Sequence, residues 1–167
     1  FCCTASKPVT LAATGTGTVS LTGSGTTQDF IFSGANNILA ASGGITLTGT
    51  TSGGPIKADT SVTTIGYKSG TPVTSSSSNI TITDDSLSLT ASKGLQLNTT
   101  GKVTVQPYSN SFSSAVTWPI TDFAVSSGVT GLTIGKDIGA TAHTDTVTIG
   151  GSTNISGPIN VYAGTIN

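Results

Sequence analysis

Glutamate, arginine and methionine are missing altogether from these 167 residues, and each absence closes off a class of structure or chemistry. Strong helix formers are therefore scarce, and no window of about 11 residues or more carries apolar positions at i, i+3, i+4 and i+7, so almost no α-helix is expected. Without Arg, and with only six scattered Lys, the chain has no dense basic patch of the kind that nucleic-acid phosphates or an anionic membrane surface call for. No hydrophobic run nears the roughly 20 residues needed to insert in a bilayer, and no charged segment leading into an apolar stretch marks a signal peptide. Any export signal is expected outside this sequence, and without Met residue 1 is not expected to be a translation start, so the chain is either processed or, as expected, a piece of something longer. The only cysteines are the neighbours Cys2 and Cys3, whose mutual bond would close a strained small ring. An intermolecular disulfide, a lipid-modified terminus and a partner upstream all stay open.

What the chain does have is hydroxyl and turn chemistry: 33 Thr, 23 Ser and 22 Gly make up nearly half of it, while charged residues account for 8% and the net charge is −1. Disorder goes with low hydrophobicity and high net charge, whereas here Val, Ile and Leu recur throughout. Thr, Val and Ile are branched at Cβ and suit a pleated strand, and Gly and Ser clusters supply turns. Short runs in which apolar residues flank a central residue, most of them apolar–polar–apolar, follow one another from Val9-Thr-Leu11 and Val19-Ser-Leu21 to Val147-Thr-Ile149 and Ile159-Asn-Val161. This period of two turns one face of each strand inward. Val19-Ser-Leu-Thr-Gly23 returns as Ile45-Thr-Leu-Thr-Gly49, 26 residues on, about one coil of a three-faced β-helix. Asn-Gly and Asp-Gly hairpin signals are absent. The expectation is a single all-β domain over residues 1–167, a parallel β-helix of about six to seven coils forming an uncapped rod roughly 30 Å long, with an antiparallel β-sandwich as the alternative.

Two segments break the rhythm. Gly66 to Asn79, with the run Ser75 to Ser78, reads as a long loop, and Gln106 to Asp122 carries Pro107, Pro119, Tyr108, Phe112 and Trp118. Tyr108, Phe112 and Trp118 are candidate surface contacts, set against a loop folded back to cover apolar surface.

Catalytic chemistry is thinly supplied. A hydrolytic β-helix would cluster carboxylates with Arg or Lys, and the chain offers seven Asp and no Arg. Asp84-Asp85 is the one adjacent pair, a partial calcium site or, as expected, a solvated turn. His143 with Asp145 and a nearby Ser would make a nucleophilic arrangement, but one His on a polar loop is expected to be solvated. No enzyme activity, catalytic residue, metal site or cofactor is expected. Sequons at Asn79, Asn98 and Asn154 are candidate glycosylation sites, in a number that the abundance of Ser and Thr explains by itself.

From Ile120 onward, Leu132-Thr-Ile-Gly-Lys136, Val147-Thr-Ile-Gly150 and Ile155-Ser-Gly-Pro-Ile-Asn-Val-Tyr-Ala-Gly-Thr-Ile166 resemble repeats of filamentous-haemagglutinin-like giant bacterial adhesins. Ala163 departs from the Gly expected there, and over the first 119 residues the likeness is compositional. The resemblance implies a right-handed β-helix, export through an outer-membrane secretion partner, and a role in attachment, aggregation or biofilm. The functional expectation is a structural and adhesive segment of a secreted cell-surface or extracellular filament protein, which meets host or neighbouring-cell glycans or proteins and associates end to end. An ice-binding β-solenoid, suggested by Thr-x-Thr triplets such as Thr14-Gly-Thr16, Thr81-Ile-Thr83 and Thr144-Asp-Thr146, and a phage or pilus fibre subunit are the alternatives.

Overall fold

Short β-branched runs punctuated by Gly and Ser fold into eighteen strands and no α-helix among the described residues. The computed structural model describes residues 2–3 (backbone only), 8–50, 54–58, 61–89, 94–139 and 142–167. The side chains of Cys2 and Cys3, and with them the question of their pairing, lie outside the described residues. The chain winds through β1 (Cys2–Cys3), β2 (Thr10–Ala13) and β3 (Val19–Gly23), then β4 (Phe30–Phe32), β5 (Asn37–Ala40) and β6 (Ile45–Gly49). Next come β7 (Ile56–Ala58), β8 (Thr63–Gly66) and β9 (Ile80–Thr83), then β10 (Leu87–Leu89), β11 (Leu95–Asn98) and β12 (Lys102–Gln106). The last strands are β13 (Val116–Trp118), β14 (Phe123–Val125), β15 (Gly131–Ile134), β16 (Thr146–Ile149), β17 (Ile159–Val161) and β18 (Thr165–Ile166).

Every strand pairs in parallel with strands one coil away, giving walls β1-β4-β7-β10, β2-β5-β8-β11-β14 and β3-β6-β9-β12-β15-β17, with β13-β16-β18 as a separate fourth sheet. The fold is a parallel β-solenoid of about five turns. That overturns the sandwich alternative and trims the expected six to seven coils. The 26-residue echo is a true rung, with Val19 opposite Ile45 and Gly23 opposite Gly49. Other coils are longer, however: Ile45 pairs with Ile80 and Lys102 with Gly131, because loops bulge from the corners.

The core follows from the period of two. In the third wall Ile45, Ile80, Val103 and Leu132 stack in one inward column, and Leu47, Ile82, Val105 and Ile134 in the next, all 0 to 1% exposed. Each such burial is worth about 1.5–3 kcal/mol. Stacking identical walls also pairs backbone N–H and C=O groups between neighbouring coils.

The loop after β8 is where expected, but it is not merely solvent-facing. Ser76 and Ser78 turn inward, and both hydroxyls donate to the Ala40 carbonyl, at 2.6 and 2.9 Å. One coil on, the Thr99 hydroxyl repeats the device on the Ser78 carbonyl at 2.6 Å. Gly66 opens this loop at φ 110°, and a Cβ there would overlap the Asn98 carbonyl, so only glycine fits.

Candidate functional site

The outward positions of the third wall are as regular as the inward ones. Ser20, Thr46, Thr81, Thr104, Thr133 and Asn160 form one in-register column. Thr22, Thr48, Thr83 and Gln106 form a second beside it. Hydroxyls therefore repeat about every 4.8 Å along the solenoid axis and about every 6.6 Å along each strand of the parallel sheet, although Thr83 is only 9% exposed. Gln106 Nε2 donates to Thr83 Oγ1 at 3.1 Å and partly caps the second column. Of the Thr-x-Thr triplets singled out in the sequence, Thr81-Ile-Thr83 lies in this array. Thr14-Gly-Thr16 sits between β2 and β3, and Thr144-Asp-Thr146 runs into β16.

A second feature lies where the first wall stops. Residues 107–115 form an insertion that enters between β12 and β13, and β13 pairs with β16 rather than with β10. Asp85 fastens the insertion: its Oδ1 accepts from Ser109 N (2.8 Å) and Ser109 Oγ (2.9 Å), and its carbonyl accepts from Ser113 N (2.9 Å) and Ser113 Oγ (3.0 Å). Asp145 fastens the far side, its Oδ2 accepting from Phe112 N at 3.1 Å. A cleft of about 250 Å³ remains between β10 and β13, lined among others by Asp85, Leu87, Leu89, Phe112, Val116 and Thr117.

This geometry favours the covering role over the surface contact for two of the three aromatic residues. Trp118 is 1% exposed inside β13, its Nε1 donates to Thr153 Oγ1 at 2.8 Å, and its ring meets Phe123 edge-on at 5.6 Å. Phe112 is 7% exposed and plugs the core from the insertion. Both are packing groups, because large aromatic faces gain most when removed from water. Tyr108 alone stays outside, 46% exposed, with Lys136 Nζ donating to its carbonyl at 3.1 Å. Of the sequon residues, Asn79 and Asn154 are exposed, whereas Asn98 is half-buried and its Nδ2 donates to the Tyr67 carbonyl at 3.1 Å.

The acidic and histidine positions are corrected as well. Asp84 and Asp85 are 2% and 3% exposed, not a solvated turn. Burial pushes the Asp84 carboxyl up to about 7, opposed by the Ser86 backbone N–H and reinforced by the charges of Asp29 and Asp85. His143 is also buried, with Nδ1 3.7 Å from Asp145 Oδ1 and neither ring nitrogen hydrogen-bonded. Among the described residues no serine hydroxyl bonds to it, so the nucleophile–base contact of a triad is not formed there. Among the described residues no group of three or more His, Cys, Asp or Glu is arranged to hold a metal ion. Among the same residues no helix is long and apolar enough to cross a membrane.

No family model, no curated protein and no solved structure matches the chain.

Proposed function

We propose that this solenoid is a structural and adhesive segment of a secreted bacterial surface or filament protein of the filamentous-haemagglutinin-like kind. The observation that carries the reading is the six-stranded third wall, whose inside is a continuous aliphatic stack and whose outside is an in-register hydroxyl array. A laterally hydrogen-bonded ladder of this kind resists bending, and repeated weak hydroxyl contacts to glycans or proteins on a host or neighbouring cell add through multivalency. At the last rung Ile159 is 43% and Ile166 54% exposed, which supports end-to-end association with a further coil. The test is the size and location of the native polypeptide, by denaturing gel and peptide mass mapping of surface and culture fractions. A very large surface or shed species is expected, and a stable soluble product of 16.4 kDa overturns the reading. Sedimentation at rising concentration checks the association, which a strictly monomeric profile removes.

The same array favours a second reading, an ice-binding face, because Thr46-Leu-Thr48 and Thr81-Ile-Thr83 lie in register on neighbouring rungs. Thermal hysteresis with faceted ice crystals is its signature, and their absence at high protein concentration eliminates it.

A further inference from the structure

We infer that Asp84 holds a proton over Gly49, on the side facing Asp29, and acts as an acid-stabilised clasp across three successive corners of the solenoid, released as the surroundings turn alkaline. Asp29 closes the corner after β3, Gly49 opens the corner after β6, and Asp84 opens the corner after β9. Gly49 has no side chain, and a Cβ built on it would overlap Oδ2 of both Asp84 and Asp29, so the two carboxyls converge on the space the glycine leaves. Both aspartates are 2% exposed.

Asp84 Oδ1 accepts from Ser86 N at 2.9 Å, while its buried Oδ2, the atom that leans over Gly49, has no hydrogen-bond partner. Two buried carboxylates side by side repel, and a proton on one converts repulsion into an O–H···O⁻ bond. The groups that face Asp84 are Asp29 from the corner ahead of β4, Asp85 from its own corner, and the backbone N–H groups of Ser86 and Ile56. Among these described groups none is a lysine or histidine side chain.

The sign follows from linkage. The Asp84 carboxyl lies at about 7 in the folded chain against an ordinary 3.8, so the folded state holds the extra proton between those values. The clasp contributes fully in acid, weakens as pH rises through that window and is gone above it. This does not depend on the adhesive reading.

The experiment is a carboxyl-carbon NMR titration of the full chain, with thermal melting at pH 5 and pH 8 of the wild type and Asp84→Asn. Asp84 is expected to titrate near neutrality, and the wild type to melt about 5 °C lower at pH 8 than at pH 5. The neutral amide of Asp84→Asn is expected to remove that difference, and Asp29→Asn to return Asp84 towards the ordinary carboxylate range. Titration of Asp84 near 3.8, or equal pH dependence in wild type and Asp84→Asn, overturns the clasp. Should either variant fail to fold, the wild-type titration decides alone. Calcium that stabilises the wild type at pH 8 but not Asp84→Asn would put a metal where the proton is placed, and also overturns it.

Discussion

The third wall and the first wall begin as equals and end differently. In the third, six strands from β3 to β17 stay in one sheet. In the first, the ladder reaches β10 and stops, and its place is taken by an insertion and a new sheet beginning at β13. A rung tolerates extra residues when they leave through a corner and return in register, as the loop between β8 and β9 does with Ser76 and Ser78 satisfying the Ala40 carbonyl. The insertion after β12 instead comes back across the wall. It is held there by Asp85 and Asp145, and Phe112 fills the space between coils. Regularity in a solenoid thus depends less on the strands than on how each corner disposes of its backbone polar groups.

If the insertion is a plug built onto a repetitive core, lesions on its two sides should differ in reach. Trp118→Ala removes the largest buried side chain beyond the insertion and leaves Thr153 without its donor, at an expected cost of about 4–5 kcal/mol in urea unfolding. Ile82→Ala in the middle of the third wall should cost about 3–4 kcal/mol. Hydrogen exchange sharpens the contrast, because each rung touches mainly its neighbours. Trp118→Ala should leave the amides of β3 and β6 as protected as in the wild type, whereas Ile82→Ala should expose them. Equal loss of protection in both variants would show that plug and ladder unfold as one unit.

A smaller effect isolates the fastening. Asp85→Ala strips the acceptor from Ser109 N and Oγ and is expected to cost about 2 kcal/mol. Increased protease cutting within residues 107–115 should accompany it, and an unchanged cleavage pattern would place the hold elsewhere. Smallest of all, Thr104→Ala and Thr133→Ala on the outer column should change stability by about 0.5 kcal/mol or less. On the adhesive reading the pair should nevertheless weaken attachment to cells, and full attachment would shift the contact away from this face.

Much of the ladder was legible because its signal is local. Ile80-Thr-Ile82 and Val103-Thr-Val105 announce strands by alternation alone, and the recurrence of Val19 to Gly23 at Ile45 to Gly49 gave away the coil period. The strands β13 and β14 were hidden, although Val116-Thr-Trp118 alternates in the same way and Phe123-Ala-Val125 sets two large apolar residues either side of a small one. The flanking Pro107 and Pro119 made the whole segment look irregular. The alternation inside it was the signal that could have found them, and it would also have placed Trp118 indoors.

The sequence alone was enough to determine most strand positions, their inward and outward faces, the scarcity of helix and the length of one coil. Each of these depends on Cβ branching and on a periodicity readable within a few residues. Only the tertiary structure decided that Asp84 and His143 are buried, that Phe112 plugs the core, and that the first wall breaks. Those outcomes depend on which groups are stacked above and below a corner. Asp84 loses its water beside Asp29, a residue 55 positions earlier in the chain, and desolvation of a charge is set by such neighbours in space, which no local pattern encodes.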